Sequence, residues 1–263
     1  LLLSIKVDLE YSCEQPSSFL LQIEAASNEQ QAIIDSSLEI IPDQEILPSH
    51  ADERIGERVW LRADKRFQCK YEVKVDVSRV AFDLEPMKQH PFAEIRGDVT
   101  KYLMPSRYCH LEKFENSIPK NISHLSGGRL VIALCRWMEE EFNYVTGAST
   151  VLTTAHDTLN AKKGVCRDYA QVLIAMLRVS GLPARMVSAY APNVEPQDFH
   201  ALVEVYLDGN WHLVDPTGMS TPEEVAIIGV GRDAADISFL TAYGFLTMIN
   251  QSVCVNKMEK AKI

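Results

Sequence analysis

The spacing of apolar residues changes period part-way along the chain, and that change constrains the fold more than any other feature. Phe67, Cys69, Tyr71, Val73, Val75 and Val77 alternate with polar residues. This is the two-residue repeat of a strand with one buried and one solvated face. Ile5, Val7 and Leu9 alternate with Lys6, Asp8 and Glu10 in the same way, and Pro16, Pro42, Pro48 and Gly56 punctuate the stretch between. Farther on, Leu130, Ile132, Ala133, Leu134, Trp137 and Met138 fit one face of a helix ending near Phe142. Ala170, Leu173, Ile174 and Leu177 repeat that pattern between Cys166 and about Ser180, with Gly181 at the expected C′ position and Pro183 beyond. Strand patterns return at 184–190, 199–207, 211–214 and 245–258. The order predicts an α+β protein. Its parts are an N-terminal antiparallel, sandwich-like β domain over 1–82, a proline-rich connector with one short helix over 83–124, and a second domain over 125–263.

The composition narrows the functional classes. With 263 residues and 46% hydrophobic content, the chain can bury a sizeable core without staples. Lys and Arg number 26 against 36 Asp and Glu, a formal charge of −10 that repels phosphate backbones, so no nucleic-acid partner is expected. No stretch of about 18 apolar residues occurs, so no membrane span is expected. The opening Leu1–Ile5 is too short for a signal sequence, and with no initiating Met, trimming before residue 1 stays open. The six cysteines form no C-x-x-C pair and read as free thiols of a reducing compartment, here the cytoplasm. The histidines lie in no H-E-x-x-H or zinc-finger spacing, so no metal or cofactor is expected.

Three segments carry the chemistry: Gly164-Val165-Cys166-Arg167-Asp168-Tyr169-Ala170, Asp198-Phe199-His200-Ala201, and Val214-Asp215-Pro216-Thr217. Cys166 starts a strongly patterned helix, where free backbone N–H groups and the positive end of the macrodipole favour a thiolate and can hold an oxyanion. His200 opens a strand that ends at Asp208-Gly209, a two-residue hairpin signal. With those residues as the turn, Leu207 pairs with Asn210 and Leu202 with Asp215. Asp215 then shares a face with His200 and lies diagonal to it. A three-residue loop would send Asp215 to the other face. Local pattern does not fix a Cys166–His200 contact. His200 follows Cys166 by 34 residues, counted from 166 to 200, against roughly 130–150 in papain-like enzymes.

The run G-V-C-R-D-Y-A, the G-L-P-A-R strand entry and the H-A-L-V-E-V-Y-L-D-G-N-W-H-L-V-D-P-T hairpin resemble the transglutaminase-like superfamily. More narrowly they resemble its bacterial members described as candidate cysteine proteases. Phe142-Asn143-Tyr144 with Gly147 and Thr150, and Leu103-Met104-Pro105-Ser106-Arg107-Tyr108-Cys109, are similar to that group as well. The resemblance implies a papain-like core in which the Cys166 helix packs on an antiparallel sheet, with Cys166 as nucleophile, His200 as base and Asp215 as its orienting partner. It also implies an oxyanion-adjacent place for Tyr144, although a helix-end aromatic covering the core is the favoured reading of that residue. Calcium is not implied.

Of the flanking charges, Arg167 can act beside the thiolate or the substrate, and Asp168 suits the first helical turn; a water-facing place serves either. Cys109 reads as packing, the 139–141 glutamates as a solvated face, His156-Asp157 as loop or helix-cap chemistry, and Tyr206–Trp211 as a cross-strand pair. The expected activity is acyl transfer from a peptide or protein amide through a thioester on Cys166. Hydrolysis is favoured over transamidation, and a non-catalytic interaction module is the rival. The oligomeric state is not legible.

Overall fold

The computed structural model describes residues 1–259. The second domain expected to reach residue 263 therefore ends, for description, at 259. Two four-stranded antiparallel sheets make the N-terminal sandwich. The first contains β1 (Leu2–Cys13), β3 (Gln31–Ile41), β6 (Arg66–Val77) and β14 (Leu246–Met258), in the order β14-β1-β6-β3. The second contains β2 (Ser17–Leu21), β4 (Leu47–His50), β5 (Glu57–Ala63) and β13 (Leu240–Ala242), in the order β13-β2-β5-β4. The alternating residues of β6, Phe67 to Val77, are buried, as are Ile5, Val7 and Leu9 of β1. The two inner faces interdigitate in a core that includes Phe19, Leu61, Phe67 and Tyr71.

The connector holds a single helical turn, α1 (Gly97–Thr100), among 3-10 turns. Two longer helices follow it, α2 (Gly127–Glu141) and α4 (Cys166–Val179), with a short α3 (Ala155–Ala161) between them. Thr154 caps α3 through a capping box with Asp157, which accounts for the His156-Asp157 polar run. A third antiparallel sheet is built from β9 (Ala184–Tyr190), β10 (His200–Leu207), β11 (Asn210–Val214) and β12 (Ala226–Gly231), ordered β11-β10-β9-β12. One face packs Met186, Val203 and Val205 on Leu173, Ile174 and Leu177 of α4. The other face buries Val187, Leu202, Leu213 and Ile227. Both faces are covered, which is why β9, β10 and β12 are buried at every residue.

Two placements depart from the sequence reading. The strand expected at 245–258 is present, but it pairs with β1 in the N-terminal sheet, and β13 pairs with β2. The chain thus returns to the first domain after completing the second, because the apolar faces of β1 and β2 need partners that local pattern does not name. The strand β12 carried no alternation to read. It is buried on both faces, and its main chain and Gln31 exchange hydrogen bonds at Ile227.

The helix α4 ends as its sequence indicates. Gly181 has φ +78°, its N–H bonds to the Arg178 carbonyl, and Leu182 N–H bonds to the Leu177 carbonyl. These are the paired bonds of a Schellman cap. A Cβ at residue 181 would sit 2.7 Å from both Gln89 Nε2 and Phe92 Cζ. Gly181→Ala should therefore lower stability by about 1–2 kcal/mol in urea unfolding. An unchanged midpoint would show that the left-handed cap is not required.

Candidate active site

The site begins at the start of α4. Cys166 is its first residue, and Val165 precedes it in extended conformation with no side-chain cap. The cap is supplied from inside the helix, where Asp168 Oδ2 accepts the Val165 N–H at 2.9 Å. Asp168 is fully buried. The water-facing reading of Asp168 is therefore wrong. Its carboxylate folds back under the preceding strand because residue 164 is glycine: a Cβ there would lie 2.6 Å from Asp168 Cβ. Arg167 donates to Asp168 Oδ1 from Nη2 at 2.9 Å and from the same nitrogen to Ser149 Oγ at 3.1 Å and the Thr150 carbonyl at 2.9 Å. It ties the 149–150 loop to the helix start, and its charge is matched by Asp168.

The hairpin brings His200 and Asp215 together. Asp208 and Gly209 have φ of 46° and 80°, the paired positive values of a type I′ turn. Leu207 pairs with Asn210 and Val203 with Val214, which sets Leu202 opposite Asp215 as the two-residue turn requires. His200 Nε2 donates to Asp215 Oδ2 at 2.7 Å, with the two side chains 0% and 3% exposed. Asp215 is held in turn by the hydroxyls of Thr217 (to Oδ1) and Ser220 (to Oδ2), each at 2.7 Å, and by their N–H groups at 2.9 Å. Thr217 and Ser220 escaped the sequence reading. The signal for Thr217 was the D-P-T turn itself, in which an aspartate bonds the main chain two residues on.

Electrostatics follow from this packing. Burial pulls the His200 pKa down, but the Asp215 hydrogen bond and the adjacent Cys166 outweigh it and raise the value to about 10. Burial would raise Asp215, yet His200, Thr217 and Ser220 hold its carboxyl below the usual range. His200 Nδ1 is buried without a hydrogen-bond partner, among the described residues. Cys166, 8% exposed, has its Sγ 3.9 Å from the carbonyl oxygen of Phe199, the residue before the histidine. The structure therefore brings Cys166, His200 and Asp215 into one group, with Cys166 near enough to His200 to help raise its pKa. Only the last two are directly hydrogen-bonded.

Tyr144 arrives by a different route. A two-residue strand, β7 (Asn143–Tyr144), pairs in parallel with β8 (Lys163–Gly164), and Val145 N–H bonds to the Gly164 carbonyl at 2.9 Å. This clips the end of α2 to the start of α4. Burial, and next the Cys166 thiol, push the Tyr144 phenol well above its usual pKa, so the hydroxyl stays protonated. Tyr144, Arg167, Cys166 and His200 line one cleft of about 610 Å³ with Asp198, Phe199 and Phe239. Asp215 lies behind His200, against a separate cavity of about 400 Å³. Tyr144 is thus a cleft residue as well as a cover for the core.

Tyr108, Gly147 and Thr150 also line the cleft, whereas Cys109, the Tyr206–Trp211 pair and the 139–141 glutamates fall outside it. Cys109 is fully buried, and desolvation pushes its thiol up to about 12, as a packing residue requires. Tyr206 and Trp211 meet edge-to-face across the hairpin with ring centres 5.2 Å apart. Glu139, Glu140 and Glu141 are exposed. No group of three metal-ligating side chains occurs among the described residues.

Residues 115–216 match the family model of the transglutaminase-like superfamily, a span that contains Tyr144, Cys166, Arg167, His200 and Asp215. A crystal structure from Cytophaga hutchinsonii, described as a putative cysteine protease, superposes with a TM-score of 0.90 at 29% identity. It covers 100% of this chain and 92% of its own. An uncharacterised protein of Mycobacterium leprae is 30% identical over 147 residues, 52% of each chain. A protein-glutamine gamma-glutamyltransferase of Pseudomonas aeruginosa is 35% identical over 120 residues, 39% of this chain and 18% of that protein. The match thus spans about half the length of the Mycobacterium relative and less than a fifth of the Pseudomonas one. With the helix-borne cysteine, the antiparallel sheet and the matched segment in agreement, this chain carries a transglutaminase-like core behind a β domain.

Proposed function

We propose that this protein is a cysteine-dependent acyl-transfer enzyme that hydrolyses amide bonds of peptides or proteins through a thioester on Cys166. The observation that carries the reading is the buried 2.7 Å His200–Asp215 hydrogen bond, with the second ring nitrogen unpartnered beside the Cys166 thiol. That environment favours the protonated ring and so suits His200 to take up the thiol proton.

In the first step the Cys166 proton resides on His200 and the thiolate sulfur bonds to the substrate carbonyl carbon. The negative charge passes to the carbonyl oxygen, where the first-turn N–H groups of α4 and the protonated Tyr144 hydroxyl are available as donors. Collapse breaks the C–N bond, and the leaving amine takes the proton from His200. Water then adds to the thioester as His200 accepts its proton. Breaking the C–S bond releases the carboxylic acid and regenerates the thiol. Asp215 keeps Nε2 protonated and stabilises the charged ring throughout.

An amine in place of water would release a new amide, the reaction in the name of the Pseudomonas relative. Both outcomes share the thioester. A purely structural interaction module has no physical need for a buried carboxylate–imidazole pair beside a thiol.

Cys166 should react with iodoacetamide faster than the other five cysteines at about pH 6–7. Cys166→Ala should abolish acyl loading from peptide amides and esters, read by intact mass. Uniform labelling of all accessible thiols would overturn the reading. Adding water or a primary amine to the loaded protein then decides between hydrolysis and transamidation.

The pH dependence has a definite sign. The His200 pKa, raised to about 10 from the ordinary 6.5, makes its pairing stabilise the fold fully below about 6.5 and fade as pH rises through about 10. The depressed Asp215 contributes above its ordinary 3.8, and that contribution is lost as pH falls through its lowered value. In Asp215→Asn the imidazole loses its counter-charge while its burial stays. Its NMR titration should move down by more than about one pH unit, and iodoacetamide labelling of Cys166 at about pH 6–7 should slow by roughly tenfold. An unmoved titration would show that the carboxylate does not set the state of the ring.

A further inference from the structure

The cleft carries a charge that the reaction proposed above does not use. Three ionisable side chains other than thiol and phenol line it: Arg167, His200 and Asp198. Arg167 is matched by Asp168, and His200 by Asp215. Asp198 has no cationic side chain within 4 Å among the described residues. It is not a free surface carboxylate either. Its Oδ1 accepts the Phe199 N–H at 2.8 Å and Gln251 Nε2 at 2.8 Å. Gln251 belongs to β14, so a strand of the N-terminal sandwich holds the carboxylate in place. Both donors are neutral. They fix the orientation without cancelling the charge, and both bonds fall on one oxygen.

The position is close to the reacting centre. The next residue is Phe199, whose carbonyl oxygen is 3.9 Å from Cys166 Sγ. The surroundings are aromatic. Phe199 stacks on Phe239 with ring centres 4.5 Å apart and planes 8° from parallel, and Tyr144 and Tyr108 line the same space. A carboxylate in a cleft lined by aromatic rings suits one chemistry above others: an ammonium or guanidinium group on an aliphatic stem. The stem packs on the rings while the head meets the oxygen. An anionic group at the same place meets uncompensated repulsion.

We propose that Asp198 makes this cleft selective for peptide substrates that carry a basic side chain adjacent to the amide attacked by Cys166. The proposal rests on the acyl-transfer reading for its substrate, but the electrostatics of the cleft can be tested without one.

The primary test uses charged thiol reagents on the full chain. The Cys166 thiolate displaces methanesulfinate from an alkyl methanethiosulfonate, forming one S–S bond as the reagent's S–S bond breaks. Rates for the trimethylammonioethyl and sulfonatoethyl reagents are compared by intact mass and peptide mapping, with exposed Cys254 as internal control. Cys166 should favour the cationic reagent more than Cys254 does. Asp198→Asn, which keeps an oxygen to accept the Phe199 and Gln251 bonds, should lower the Cys166 cation-to-anion ratio by roughly threefold to tenfold, the range of a single partly solvated charge pair. Asp198→Glu should keep most of the ratio even where it disturbs the loop. A ratio that stays the same in Asp198→Asn, or falls equally in both variants, overturns the proposal.

Peptides supply the second arm. Arginine beside the loaded amide should give faster acylation of Cys166 than citrulline or glutamate, with the difference between arginine and citrulline lost in Asp198→Asn. Equal loading of arginine and citrulline peptides removes the substrate assignment and leaves the acyl-transfer reading standing. If Asp198 affects only the capture of a free alkylamine, seen as an amide product, the carboxylate serves an acceptor and the basic-side-chain assignment fails. If no peptide loads at all, the acyl-transfer reading fails, while the reagent ratio still judges the charge of the cleft.

Discussion

A carboxylate and an imidazole, both almost fully buried and 2.7 Å apart, are the constraint on which the rest of the site depends. Burying either charge alone would be costly. Burying them together is tolerable because the remaining acceptor capacity of Asp215 is met by two hydroxyls and two N–H groups. The pair therefore behaves as a preformed unit. It holds the ring in one orientation and holds a proton on it, with the other ring nitrogen buried and unpartnered and Cys166 near enough to help raise its pKa. A thiol anywhere else on that helix would miss both the ring and the free N–H groups of the first turn.

The framework around this unit is a set of clamps between segments distant in sequence. Arg79, nearly buried, donates to Gln30, Gln31 and the carbonyls of Pro222 and Val225, which fastens the end of β6 to the approach to β12. Gln31 bonds in both directions to the main chain of Ile227. Gln197 does the same to Val255 of β14, donating from Nε2 to its carbonyl and accepting its N–H at Oε1. That last clamp lies three residues before His200, beside the Gln251–Asp198 bond. The N-terminal sandwich is therefore more than an appended module. One of its strands fixes the loop from which the histidine strand departs and orients the Asp198 carboxylate that lines the cleft. Strain or mobility in β14 would reach the cleft through two glutamine side chains, which links the stability of the first domain to the geometry of the second.

Much of this was legible before any coordinates. The alternation from Phe67 to Val77 and the stripe from Ala170 to Leu177 identified the sandwich strand and the cysteine helix, since periodicity is set by which residues can share one face. The Asp208-Gly209 pair fixed the hairpin register, and through it the meeting of His200 and Asp215, because a two-residue turn leaves no freedom in the pairing. The polar His156-Asp157 run, read as loop or cap, and the Schellman end at Gly181 are short-range and were legible for the same reason, whereas Thr154 as the capping residue was not read. The buried position of Asp168 was not legible. Its charge pattern suits a water-facing helix start, and only the missing Cβ at Gly164, seen in three dimensions, opens the space beneath it.

What the chain's own pattern determined, then, is every relation carried by contiguous residues: element types, the hairpin, and the helix start that presents Cys166. What only tertiary structure decided is every relation across long separations. These are the approach of Cys166 to His200, the parallel clip that brings Tyr144 to Gly164, the return of 240–258 to the first domain, and the seating of Asp198 against β14. The physical reason is the same in each case. Local dihedral and periodic preferences act over a few residues, whereas these contacts are chosen by the burial of apolar faces and the pairing of buried polar groups, which are properties of the assembled molecule.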